Sequence, residues 1–232
     1  MAGWTAPLWT QHGVAVRTRD GVALATDVHL PHAPGEGPPL PALLLRTPYD
    51  RTSPRLVATA QRMARAGYAV VVQDLRGRYG SEGEFVLGMR EAEDGYDAVE
   101  WAAAQPWCDG RVGTYGTSYM AWVQSALATL APPHLEAMWV HEGIANPLKE
   151  SVRQGGAFEL RWMAWAFYGA ATDPRLPGWA RDRLGRVDLR DWLRPQLPQP
   201  GRARSRSRPH TNGGIGSTSR PAPRAGRGTP AR

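Results

Sequence analysis

The sequence predicts an α/β fold built on a mostly parallel sheet, and three observations carry that reading. Unbroken apolar runs at residues 42–45 and 69–72 suit strands buried on both faces. Segments of helical character separate the strand-like ones, so the two kinds alternate along the chain. Ahead of them, two segments of alternating polarity joined at Asp20-Gly21 add an antiparallel hairpin at one edge.

In the first strand, residues 14–19, Val14 and Val16 alternate with Ala15 and Arg17. In the second, residues 22–30, Val22, Leu24, Thr26, Val28 and Leu30 alternate with smaller or polar residues. Asp and Gly tolerate positive φ, so Asp20-Gly21 reads as a two-residue turn. A proline-rich loop, PHAPGEGPPLP, fills 31–41. The run Ala42–Leu45 is too short for a free helix and suits a buried strand. Ser53-Pro54 opens a helix to about Ala66, with serine as a cap and proline tolerated in the first turn. Gly67 ends it, and Ala69–Val72 is the second buried strand. A helix from Glu91 to about Ala104 carries Glu91, Glu93 and Asp94 at its positive end. A short strand, Arg111–Tyr115, leads at once into an apolar helix from Ser118 to about Leu130, and Leu135–Val140 is another strand.

From about 145 the pattern changes. Trp162, Trp165, Phe167, Tyr168, Trp179 and Trp192 sit among arginines and prolines, which reads as short helices that cap the sheet or extend its core. Residues 199–232 differ again, since 23 of these 34 residues are Arg, Gly, Pro or Ser. Such a stretch cannot bury enough apolar surface to offset its ordering entropy and is expected to be disordered. The organisation expected is therefore a sheet domain over 1–145, a cap segment over 146–198 and a tail over 199–232.

The chain of 232 residues carries a formal charge of +7, which alone would suggest a nucleic-acid or membrane partner. The charge lies in the tail, whose eight arginines face no acid, and residues 1–198 come to about −1. The single lysine against 27 arginines fits translation of very GC-rich DNA. No apolar run approaches the roughly 18–20 residues of a membrane span. The N-terminus lacks the charged and apolar regions of a signal peptide. One cysteine, Cys108, excludes an internal disulfide or a multi-thiolate metal site, and a cytoplasmic location is expected.

The segment that carries chemistry is Val112-Gly113-Thr114-Tyr115-Gly116-Thr117-Ser118-Tyr119-Met120. A strand runs into Gly116-x-Ser118 and a helix follows, the setting of a nucleophile elbow. Such a turn lifts the serine hydroxyl above the carboxyl end of the sheet. The helix start then points the N–H of Tyr119 at a developing oxyanion. The usual pattern has glycine two residues after the serine, and Met120 stands there instead. Ser118 as an ordinary helix N-cap is the competing role.

Four blocks resemble the X-prolyl dipeptidyl-peptidase and cocaine-esterase-like serine hydrolases, in that family's order. They are Arg19-Asp20-Gly21-Val22, Arg46-Thr47-Pro48-Tyr49-Asp50, Gln73-Asp74-Leu75-Arg76-Gly77 running on to Gly80-Ser81-Glu82-Gly83-Glu84-Phe85, and Trp107-Cys108-Asp109-Gly110-Arg111-Val112-Gly113 running on to Ser118-Tyr119. The family's elbow is G-x-S-Y, so Met120 is no departure, and Ala121 replaces a common glycine. The resemblance covers roughly 14–170 and implies an α/β-hydrolase fold with the start of a helical cap. It implies hydrolysis of an ester, amide or peptide bond through an acyl-Ser118 intermediate, with Tyr49 hydroxyl and Tyr119 N–H as oxyanion donors. It implies no metal or organic cofactor. Asp74, Arg76 and Glu82 read as structural, and Cys108 as inert packing.

A serine nucleophile needs a base and an orienting carboxylate, which in this fold follow it as Asp or Glu and then His. In the family both lie beyond the cap. The histidines after Ser118 are His134, His141 and His210, and none stands in a family triad position. Asp173, Asp182, Asp188 and Asp191 have no strand context to mark them. The triad Asp and His are thus expected to be absent, the sheet incomplete at its C-terminal side, and the chain a weak or inactive hydrolase. On this reading the tail is a frameshifted or artefactual end. The competing readings are a non-catalytic binding or regulatory protein on the same scaffold, and an Arg-rich nucleic-acid-binding tail.

Overall fold

A computed structural model describes residues 7–143, 151–154, 157–173 and 175–188. The expected tail, Trp192, Asp191 and His210 lie outside the described residues. All described residues belong to one unit, Met1–Leu189. Six strands form one sheet: β1 (Trp9–Arg17), β2 (Ala23–Leu30), β3 (Leu40–Thr47), β4 (Ala69–Asp74), β5 (Cys108–Thr117) and β6 (Leu135–His141). Their order across the sheet is β1-β2-β4-β3-β5-β6. β1 and β2 run antiparallel, β2 meets β4 antiparallel, and β3 is parallel to both β4 and β5. β6 continues the sheet parallel to β5.

The apolar runs became the centre of the sheet. Every residue of β4 is buried, and Leu44 of β3 lies between Val71 and Thr114 of its neighbours. Helix α1 (Pro54–Arg65) puts Ala60 and Ala64 against Leu45, Val70 and Val72 on one face. On the other face, Ala98, Val99 and Ala102 of α2 (Glu91–Ala103) join Leu127 of α3 (Tyr119–Ala128) over Leu44 and Val71. Small alanines let these helices approach closely, while Val and Leu from the strands fill the gap.

Two local expectations are corrected. The hairpin loop spans Thr18–Val22 rather than two residues, because Arg17 still pairs with Ala23. Thr18 N–H donates to the Val22 carbonyl and Gly21, at φ +87°, donates to the Thr18 carbonyl. Arg19 and Asp20 are drawn out of the ladder by Asp97 and Arg76. Ser53 precedes α1 but its side chain makes no capping bond. Its carbonyl instead accepts the Leu56 and Val57 amides, and Pro54 has no N–H to satisfy.

Beyond β6 the described part holds a two-residue ladder, β7 (Arg153–Gln154) with β8 (Ala157–Phe158), then α4 (Leu160–Ala171) and α5 (Gly178–Gly185). Trp165 packs against the sheet domain, whereas Tyr168 and Trp179 are exposed. The aromatic cluster therefore divides between core and surface.

Behind the carboxyl end of β4 sits a buried ionic group. Arg51 reaches Asp74 at 2.6 Å and Asp27 at 3.0 Å, and both carboxylates are 1% exposed or less. Burial opposes the charge on Asp27, but His12, the Gly13 N–H and Arg51 hold its pKa below the ordinary value. For Asp74 burial wins and the pKa is raised, despite the Arg51 bonds. Replacing Arg51 with alanine removes the cation shared by two buried carboxylates and should cost about 3–5 kcal/mol near pH 8. The folded-state pKa of Asp74, already raised, then rises further and that of Asp27 rises with it, so the variant regains stability as pH falls toward 5. Urea unfolding at both pH values checks this, and a deficit equal at both would contradict it.

Candidate active site

The chain order of the strands makes a crevice. From β3 the chain moves to β4 on one side, and then returns through α2 to β5 on the other. The carboxyl ends of β3 and β5 thus diverge at a switch point, the usual place for a ligand in a parallel sheet. Tyr49 follows the end of β3 and Ser118 follows the end of β5. The topology brings them together, and Tyr49 Oη lies 3.4 Å from Ser118 Oγ.

Ser118 sits at φ +62°, ψ −124°, which a residue with a Cβ rarely adopts. It occupies the N-cap position of α3, yet its side chain makes no capping bond. Its N–H donates to the His141 carbonyl at 3.0 Å, and its carbonyl accepts the Ala121 and Trp122 amides. The backbone of Ser118 is therefore held on both sides while the residue itself is exposed. Its hydroxyl is directed to Tyr49 rather than used as a cap.

Gly116 permits this turn. A Cβ there would stand 2.5 Å from Met120 Cβ and 2.6 Å from the Met120 carbonyl oxygen. Met120 thus packs where the expected pattern places glycine, because the first glycine of the turn makes room for it. Tyr119, 5% exposed, opens α3, so its N–H is one that the helix cannot use internally. Its ring stacks on Trp165 at 5.7 Å and meets Trp122 edge-on at 4.8 Å.

The Tyr119 hydroxyl donates to Glu91 Oε1, and the Gly88 N–H donates to that hydroxyl at 3.4 Å. Burial first, and then the Glu91 charge, push the phenol far above its ordinary pKa. Burial also raises Glu91, against the opposing pull of Tyr119 and Arg46. Arg46 is 2% exposed and donates to Gln73 Oε1 and to the Glu91 carbonyl. A cavity of about 10 Å³ adjoins the group, lined in part by Arg46, Arg76, Glu84, Glu91 and Asp94. In the sequence Arg46 is a residue of one family block and Glu91 a helix-start acid, and no spacing ties either to Tyr119.

The other sequence candidates fall elsewhere. Asp74 holds Arg51, Arg76 holds Asp94 at 2.6 Å, and Glu82 accepts the Ala23 amide, so all three are engaged structurally. Cys108 is buried, which raises its thiol pKa. The His141 ring contacts Thr117 and stacks on Trp139. His134 pairs with Glu100, beyond the far end of α3. Asp173 pairs with Arg175.

Comparison with known proteins then decides the family. A model of the X-Pro dipeptidyl-peptidase (S15) family matches residues 20–209. The chain belongs to this family. It is 42% identical over 129 residues to a cocaine esterase from a Rhodococcus species, covering 54% of this chain and 22% of that protein. A CocE/NonD family hydrolase from Staphylococcus aureus superposes with a TM-score of 0.61 at 26% identity, over 77% of this chain and 36% of the other. An aminopeptidase from a marine-sediment Thaumarchaeota archaeon gives 0.60 at 26% identity, over 72% and 31%. The chain thus spans about a fifth of that esterase and about a third of those structures. The α/β-hydrolase fold expected from the four blocks is the fold observed, and no described helix is long and apolar enough to cross a membrane.

Replacing Gly116 with alanine should force α3 away from β5 and cost about 1–3 kcal/mol. A lowered urea midpoint checks this. An unchanged midpoint would mean that the turn is not as tightly closed as the Met120 contact implies.

Proposed function

We propose that this chain carries the nucleophilic half of a serine hydrolase acting on small esters, amides or peptides. Ser118 Oγ attacks the acyl carbonyl and the carbonyl oxygen takes up negative charge. The bond to the alcohol or amine then breaks, leaving acyl-Ser118, and the serine proton goes to the leaving group; water then cleaves the acyl-serine ester, its hydroxyl going to the acid and its proton to Ser118 Oγ. The Tyr119 N–H and the Tyr49 hydroxyl are the donors for the oxyanion. The observation that carries the reading is the Ser118 turn, with positive φ, an exposed residue and a hydroxyl 3.4 Å from Tyr49 rather than on the helix end. The esterase and peptidase names among the relatives support the substrate class.

No histidine–carboxylate pair meets Ser118 among the described residues. The His141 ring is turned to Thr117 and Trp139, and His134 lies beyond α3, whose ten residues span about 15 Å. We therefore propose that this 232-residue chain turns over slowly by itself. An oxyanion site and binding alone still give about 10³–10⁴-fold over water in a hydrolase stripped of triad members.

A fluorophosphonate probe should label the chain slowly, and added imidazole, standing in for the base, should accelerate labelling. Ser118→Ala should remove it. Fast labelling without imidazole that Ser118→Ala abolishes would show a base already in place. If imidazole has no effect and Ser118 stays unlabelled, the scaffold is a non-catalytic binding protein and the hydrolase reading fails.

A further inference from the structure

The start of α2 is tied to the start of α3 by one side-chain bond, from the Tyr119 hydroxyl to Glu91. Both residues are 5% exposed. Ring stacking on Trp165 and Trp122 does not need the hydroxyl, since phenylalanine would stack as well. Complementing the positive end of α2 does not need a buried acid either, since an exposed one in the first turn does this. A buried carboxylate costs more in desolvation than a well-packed apolar group of its size. The Glu91 charge also offsets that of the buried Arg46, but this needs no bond to the Tyr119 hydroxyl.

We propose that Glu91 is the positioning residue of the elbow: it anchors the Tyr119 side chain and so fixes the direction of the Tyr119 N–H beside Ser118. This rests on the hydrolase reading above and deepens it. Glu91 is itself fixed from the sheet side. Arg46 Nη1 donates to its backbone carbonyl at 2.9 Å, and Arg46 Nε is held by Gln73 at 3.0 Å. The Gly88 N–H approaches the same phenol oxygen from the preceding loop. The phenol oxygen is thus the meeting point of α3, α2 and the loop before α2. The adjoining cavity of about 10 Å³ has room for about one water, and Glu91 is 5% exposed. Glu91 acts through Tyr119 and not on the substrate.

The test compares Glu91→Ala, Glu91→Gln and Tyr119→Phe with the wild-type full chain by amide hydrogen exchange. Losing a hydrogen bond to a charged group should raise exchange in the elbow, residues 116–122, by about tenfold in Glu91→Ala and Tyr119→Phe. Glu91→Gln should keep exchange near wild type, because its Oε1 accepts the same hydroxyl. The β4 segment, residues 69–74, should be unchanged in all three. Imidazole-dependent labelling of Ser118 should fall with the elbow in Glu91→Ala and recover in Glu91→Gln. Elbow exchange that is unchanged in Glu91→Ala overturns the proposal. So does acceleration of elbow and β4 together, or a glutamine variant that behaves like alanine. If the wild type never labels but the exchange pattern appears, the anchoring stands and the hydrolase reading is what fails.

Discussion

The backbone of Ser118 is the constraint on which the site depends. A residue with a side chain at φ +62° stores about 1–3 kcal/mol of strain, and it persists only where its surroundings leave no alternative. Here they do not. β5 is paired on both edges, by β3 and by β6, so the strand cannot shift. Helix α3 buries Met120, Ala121, Val123 and Leu127, so the helix cannot retreat. Between these two fixed elements the chain must reverse within one residue. Gly116 allows the reversal by accommodating Met120, and the bond from Ser118 N–H to the His141 carbonyl closes it. The exposed hydroxyl is a consequence of that packing.

The loops around this turn are held by arginines as well as by the apolar contacts of Tyr49, Leu75 and Phe85. Arg51, in the loop after β3, is bound to Asp27 and Asp74. Arg76, in the loop after β4, is bound to Asp94 and Asp20. Arg78 donates to the Pro48 carbonyl, beside Tyr49, and also to Gly169 and Thr172 around the end of α4. Buried ion pairs add little net stability over apolar packing, but removing one partner costs several kcal/mol. Their effect is to select one arrangement. A forked guanidinium can hold several carbonyls and carboxylates at once, so it fixes loop backbone that stays near the solvated end of the sheet.

What was legible in the sequence follows from how far each signal reaches. Ala42–Leu45 and Ala69–Val72 were readable as strands because burial on both faces removes polar alternation, a purely local signature. The ends of β5 were not. The strand expected over Arg111–Tyr115 runs from Cys108 to Thr117, because pairing with β3 starts at Leu40 opposite Cys108 and resumes at Ala42 across a register shift. The Asp20-Gly21 turn differs for a similar reason, as tertiary bonds to Asp97 and Arg76 displace the local choice, whereas at Ser53 the backbone carbonyl takes the amides that its side chain could have capped. Ser118 and Tyr49 stood out individually through the motif and the family blocks, but their 3.4 Å approach needs the strand order, which no spacing states. Glu91 looked like a helix-dipole acid because its partner lies 28 residues away on another helix.

Tyr119 joins two functions that sequence reading kept apart. Its backbone stands next to the nucleophile, its hydroxyl is tied to α2, and its ring lies flat on Trp165 of α4 at an angle of 4°. Phe85 and Trp122 complete the contact. The aromatic residues after 160 are therefore not only a cover over the sheet. One of them bears directly on the residue beside Ser118. The N–H proposed to meet the oxyanion thus belongs to a residue that is packed by Trp165 of α4 on one side and bonded to Glu91 of α2 on another.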